Sequence, residues 1–284
     1  MKITSDWHIH SERSCDSACM PVGNITLLAK KNGILDFGLT DHLHTPFNLP
    51  DIANSRKDFL VSRPPAHFHF GIEVSCISQW ELGEISTGKH QSPVYGIRNG
   101  GPPGCPLAIG ITDEEIKKYG IEYVVGGAHW PIYVPMEPEV IVRDYHRQNM
   151  FLATHKLVDI VAHPWWWAGD WHDSDGIYRT EPWFDDFCKI LSSMHDEFAR
   201  ACVENRKVVE INIEAMLLNH SYTDEFKQKY LEYLAGLKGR NVKLCIGSDC
   251  HLQTYEINFE KAAKMLDSIG IKSEELWTLP PRNN

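Results

Sequence analysis

Asp6-Trp7-His8-Ile9-His10-Ser11-Glu12-Arg13-Ser14-Cys15-Asp16 sets two imidazoles two residues apart, with a carboxylate six residues beyond the second. In a strand, residues i and i+2 lie on one face. His8 and His10 therefore reach one point in space from a rigid element, which is how a metal site begins. The fold depends on whether other strands end in the same way.

They do. Residues 35–40 are apolar and run into Asp41-His42, and 68–72 run into Glu73. Residues 123–128 lead to His129, 157–162 to His163, 208–213 to Glu214, and 242–248 to Asp249-Cys250-His251. With the opening segment these are seven candidate strands. Their apolar character with little alternation suits a parallel sheet buried on both faces.

Helical patterns separate them. Residues 21–32 start at Pro21 and stop at Gly33, and Thr112-Asp113-Glu114-Glu115 is a capping box that opens a helix ending near Gly120. Further helices are expected over 139–156, 182–207, 223–237 and 258–268. Alternating strand and helix implies right-handed βαβ units, and polar clusters at the C-terminal ends of seven strands favour an α/β TIM-like barrel. One barrel domain is expected over 1–284. The exception is about 81–110, where glycines and prolines break any helix; a loop this long in a compact domain is usually functional. Following the strand that ends at Glu73, it should lie over the barrel mouth.

The net charge of −10 argues against a dedicated nucleic-acid binder. No apolar run approaches the roughly 20 residues that span a bilayer, and the N-terminus lacks the apolar stretch of a signal peptide. The eight cysteines are scattered without a Cys-x-x-Cys, which reads as free thiols in a reducing cytoplasm. Fifteen histidines in so acidic a chain point to metal or acid–base chemistry.

Collected from the strand ends, His8, His10, Asp16, His42, Glu73, His129, His163, Asp249 and His251 converge on one face of such a barrel. A catalytic zinc takes three protein ligands plus water, so nine donors suit two or three metals with a bridging carboxylate. Mixed imidazole and carboxylate ligands favour Zn, Fe or Mn.

The order and context of these motifs resemble the PHP (polymerase and histidinol phosphatase) superfamily, closest to its phosphatase branch. The resemblance runs from His8 to His251 through Asp-Trp-His-Ile-His at the start, Leu-Thr-Asp-His at 39–42, Gly-Ile-Glu-Val-Ser at 71–75 and Gly-Ser-Asp-Cys-His at 247–251. It implies a distorted (β/α)7 barrel with a trinuclear site. By resemblance, His8, His10, Glu73 and Asp249 hold one metal, Glu73 bridges to a second held by His129 and His163, and Asp16, His42 and His251 hold the third. Position 16 is often histidine in such proteins, so Asp16 shifts the preference there toward a harder metal. The implied activity is hydrolysis of a small phosphomonoester by a metal-activated hydroxide, with Glu73, His129 and Asp249 at the chemistry. A histidinol-phosphate-like substrate is one candidate. The alternatives are a nuclease or phosphodiesterase of the same superfamily, an amidohydrolase-type barrel, and a silent metal-binding module.

Arg13, between His10 and Asp16, is a candidate phosphate clamp, and Arg179 a weaker one. Trp7, Trp130, Trp165, Trp166, Trp167 and Trp171 crowd beside the expected ligands, as packing with one or two facing the substrate. Cys15 and Cys250 neighbour ligands but point away. His44 and His172 are read as solvent-facing, and His67, His69, His146, His155 and His195 as structural. Nothing in the sequence sets the oligomeric state.

Overall fold

The computed structural model describes residues 1–16, 18–166 and 184–280, with the backbone alone at 171–172 and 178–179. Among the described residues seven parallel strands follow one another around a barrel: β1 Ser5–Ile9, β2 Asp36–Leu39, β3 Phe68–Ser75, β4 Tyr123–Gly127, β5 Ile160–Ala162, β6 Val208–Asn212 and β7 Lys243–Gly247, and the two-residue strand His42–Leu43 also pairs with β3. Each of the seven pairs with the next in chain order. The β7–β1 seam is joined beyond β7, where Asp249 N donates to the His8 carbonyl at 2.8 Å and His10 N to the Cys250 carbonyl at 3.1 Å. The chain is thus an α/β TIM-like barrel, as its strand and helix alternation predicts.

Helices α1 Val22–Lys31, α2 Leu49–Val61, α3 Gln79–Ser86, α4 Asp113–Tyr119, α5 Pro138–Thr154, α6 Ser192–Glu204, α7 Asp224–Gly239 and α8 Phe259–Ser268 connect the strands. The expected capping box forms at α4, where Thr112 Oγ1 accepts from Glu115 N and Glu115 reciprocates. α6 begins at Ser192, shorter than the 182–207 pattern; residues 187–189 form a 3-10 turn, and 182–183 lie outside the described residues.

Two apolar cores result. The larger packs the outer faces of the strands against the helices. The smaller fills the barrel itself with Trp7, Tyr123, Val125, Ile160, Ala162, Val208 and Cys245. Trp277 and Leu279 of the C-terminal segment pack against this inner core. The pairing of β1 with β2 slips between Asp6 and Ile9. That irregularity lets Trp7 join the inner core while His8 and His10 still face the site.

The glycine- and proline-rich stretch departs from expectation at its start. Gln79–Ser86 is helical because Ser78 accepts from Glu81 N as an N-cap, and the irregular chain begins only afterwards. It returns at Leu107–Ala108, which pairs with Ile77–Ser78.

Candidate metal centre

All nine side chains expected at the strand ends meet at the C-terminal mouth of the barrel. Glu73 on β3 is fully buried at their centre. Its Oε2 lies 3.0 Å from His8 Nε2, 3.4 Å from His10 Nε2 and 2.9 Å from His42 Nδ1. Its Oε1 lies 3.0 Å from His129 Nε2 and 3.1 Å from His163 Nε2. Asp249 Oδ1 is 3.5 Å from His8 Nε2 and 3.3 Å from His10 Nε2. Asp16 Oδ2 is 3.2 Å from His42 Nε2 and 2.8 Å from His251 Nε2.

The donors fall into groups close enough to share ions: His8, His10, Glu73 and Asp249; His42, Glu73 and His129; and His10, His42 and His251. The first coincides with the set drawn from the resemblance. In the second, His42 stands beside Glu73 and His129, with His163 on the same Glu73 oxygen as His129.

The chemistry of this donor set fits metals. His8 Nε2, His10 Nε2, His42 Nδ1, Glu73 Oε2 and Asp16 Oδ1 are buried, with no hydrogen-bond partner among the described residues. Buried polar atoms are nearly always satisfied, so converging orphans of this kind mark a missing partner. Asp249 and His163 adopt left-handed backbone, at φ 58° and 27°, to aim their side chains inward. Gly127 leaves the space these groups occupy: a Cβ there would sit 2.6 Å from His129 Cε1 and 2.9 Å from Glu73 Oε1.

Burial opposes the charge on Glu73, but His8, His42 and His129 outweigh it and hold its carboxyl well below the usual range. Asp249 and Asp16 are likewise held low against burial, Asp249 by His8 and His10 and Asp16 by His251 and His42. Burial pushes His129 down to about 4 and lowers His10. Against burial, the neighbouring carboxylates raise His8, His163 and His251 and lift His42 to about 10, so an entering ion would displace protons from these four.

Groups one step back set the tautomers. Glu210 Oε1 lies 2.6 Å from His8 Nδ1, so His8 keeps its proton there and presents Nε2 inward. Glu210 Oε2 accepts from His163 N at 2.8 Å and from Asn212 Nδ2 at 3.0 Å. Ser75 Oγ sits between His129 Nδ1 at 2.8 Å and His44 Nδ1 at 2.7 Å. A hydroxyl has one proton to give. His129 Nε2 is 3.0 Å from Glu73 Oε1, a hydrogen bond that needs its proton; with an ion on that nitrogen instead, the proton would sit on Nδ1 and be donated to Ser75. Ser75 then donates to His44, which is left with its proton on Nε2.

Several expected positions are corrected. Arg13 turns away from the site: its Nε donates to Asp58 of α2 at 2.6 Å. The side chain of Arg179 lies outside the described residues, and its backbone pairs in a short hairpin with Trp171. His44 is 2 % exposed rather than solvent-facing, because Ser75 and Tyr95 close over it. The side chains of His172, Trp167 and Trp171 lie outside the described residues. Trp7 is below the site in the inner core, and Trp165 packs between His146 and His195, whereas Trp130 and Trp166 line the mouth. Cys15 Sγ points to the His42 carbonyl at 3.8 Å. Glu210, Asn212, Ser75 and Glu214 were not among the expected site residues. Burial, with the Asp249 charge beside it, raises Glu214 to about 7.

Above the donors opens a cavity of about 550 Å³ walled by His44, Tyr95, Trp130, Trp166, Glu214 and Leu252. That volume suits a small molecule rather than a polymer. Among the described residues no helix is long and apolar enough to cross a membrane.

Fold and site together define an α/β barrel with buried His, Glu and Asp clusters that fit a multi-metal site. No family model matches the chain, and no curated protein matches it. Among solved structures it is similar to a putative 2-pyrone-4,6-dicarboxylic acid hydrolase from Pseudomonas putida, at 15% identity and TM-score 0.47, over 96% of this chain and 93% of that one. It is also similar to a dihydropyrimidinase from Brevibacillus agri, at 12% identity and TM-score 0.38, over 90% of this chain and 61% of that one. An archaeal fructose 1,6-bisphosphate aldolase matches at 12% identity and TM-score 0.35, over 94% of each chain. Likenesses this distant say nothing about chemistry.

Proposed function

We propose that the chain is a metal-dependent phosphomonoesterase of the PHP superfamily, holding two to three divalent Zn, Fe or Mn ions. The observation that carries this reading is the division of Glu73: one carboxylate oxygen faces His8, His10 and His42, the other His129 and His163. A buried carboxylate so placed is built to bridge. Bound there, the ions would supply Lewis-acid activation of water and neutralise phosphoryl charge.

The protein's own residues do the rest. Glu210 and Ser75 fix which nitrogens of His8 and His129 face Glu73. Trp130 and Trp166 shield one side of the site from bulk water, strengthening its electrostatics. The nine donors at their expected strand ends support the superfamily assignment, and the small cavity and acidic balance support a small phosphomonoester over a nucleic-acid chain.

The test is elemental analysis together with turnover of p-nitrophenyl phosphate, with Mn, Zn or Fe supplied. Two to three equivalents of metal are expected, and Glu73→Gln should abolish turnover while the variant stays folded. One equivalent or none, or undiminished turnover in the variant, overturns the reading. Preference for bis(p-nitrophenyl) phosphate would make the protein a phosphodiesterase instead.

A further inference from the structure

The mouth of the cavity has a side that the metal chemistry does not use. Tyr95, from the irregular stretch after α3, brings its ring to 5.2 Å from the His44 ring and 6.1 Å from Trp130, and His44 and Trp130 are 5.3 Å apart. All three line the same cavity as the metal donors. Tyr95 stays 41% exposed, a large ring left open at a rim that buries its neighbours.

This wall is held in place. Glu81 on α3 is 1% exposed; its Oε1 accepts from Ile97 N at 2.8 Å and pairs with Arg98. Tyr133 Oη donates to the Ile97 carbonyl at 2.9 Å. The Arg98 guanidinium lies over the Trp130 ring, 4.0 Å from its centroid. One buried carboxylate thus fixes the chain just after Tyr95 and, through Arg98, the tryptophan beside it.

His44 adds a polar group. Its Nδ1 is taken by Ser75, and its Nε2 is buried without a hydrogen-bond partner among the described residues. In the metal-loaded protein, where the tautomer argued above applies, this nitrogen is a donor in want of an acceptor.

We infer that Tyr95, His44 and Trp130 form a subsite for a planar aromatic group on the substrate's leaving portion, with His44 Nε2 donating to an acceptor on it. This rests on the phosphomonoesterase reading above. Rings set at such distances accept another ring in offset or edge contact, a preference that an alkyl group of similar area does not match.

Calorimetric titration of the metal-loaded protein tests this with two pairs of probes, phenylphosphonate against methylphosphonate and benzoate against acetate. The aromatic member of each pair should bind roughly tenfold more tightly, the scale of a favourable aromatic contact. Tyr95→Ala should reduce that ratio to about threefold or less by losing one of three rings, with methylphosphonate binding unchanged, and Tyr95→Phe should retain it. Equal affinity within both pairs, no binding of any probe, or an undiminished ratio in Tyr95→Ala overturns the subsite. Aromatic preference among the carboxylates with no phosphonate binding would sustain the subsite and sink the phosphoester reading.

Discussion

Glu210 is the residue on which the first donor group turns. It is 1% exposed on β6, surrounded by His8, Asn212 and the backbone of His163, and accepts from all three. Replacing it by glutamine keeps the shape but removes the charge that orients the His8 proton. Glu210→Gln should weaken metal binding about 10- to 100-fold, measured by competition with a chromophoric chelator on a variant whose circular dichroism is unchanged. Unaltered affinity would mean that Glu73 and Asp249 orient His8 unaided. The nine donor positions were legible because all but Asp16, which lies in the loop six residues past His10, close or closely follow an apolar run where a barrel strand meets its mouth. Glu210, Asn212 and Ser75 were not, because they lie within or at the ends of runs read as buried on both faces. Nothing in one dimension says which way a mid-strand carboxylate points. Arg13 failed for a related reason: nearness along the chain placed its Cα by the site, but Asp58, far away in sequence, set its direction.

At the scale of elements, β2, β3 and β4 are fitted to one another by Tyr123. Its ring crosses the barrel floor so that the hydroxyl reaches the Trp7 carbonyl at 3.0 Å. It passes over Gly38 and Gly71, where a Cβ would meet the hydroxyl at 1.7 Å and ring carbon Cζ at 2.7 Å respectively. Gly38→Ala should therefore destabilise the protein by about 3 kcal/mol in urea unfolding, as overpacking of a dense core does. Adding Tyr123→Phe removes the nearest atom and should recover part of the loss. No recovery would assign the cost to the β2 backbone. The strands themselves were readable from their apolar runs, but the helices unevenly so. α2 was missed because Pro50 stands in its first turn and Leu60 and Val61 are exposed at its end, which blurs the apolar period. The start of α3 was missed because the glycines after it dominated the reading of the whole stretch.

The whole molecule is a barrel with the His, Glu and Asp clusters at one end and a different buried cluster at the other. At the N-terminal end His69, on β3, lies 3.1 Å from Asp36 of β2 and 2.8 Å from Glu122 just before β4, tying three strands together. Its ring also stands 5.5 Å from Trp7 of the inner core. Burial works against its charge, but the hydrogen bonds to Asp36 and Glu122 outweigh it and raise it to about 9. An unfolded histidine titrates near 6.5. The native state therefore binds this proton more tightly than the unfolded chain, so the clamp contributes fully below about pH 6.5 and is lost as pH rises through about 9. With allowance for solvent screening at the partly open end of the barrel, the contribution is about 1–2 kcal/mol. In a chain of this size that lowers the thermal midpoint by roughly 2–8 °C between pH 6.5 and 9.5. His69→Gln keeps a hydrogen-bonding side chain without the titration, so its midpoint should start lower and change less over the same range. Calorimetry of both proteins in the same metal-loaded state checks this, because titrations at the opposite mouth are common to the two. Parallel pH profiles would show that the barrel is held at this end by packing around Trp7 and Trp277 rather than by the charged clamp.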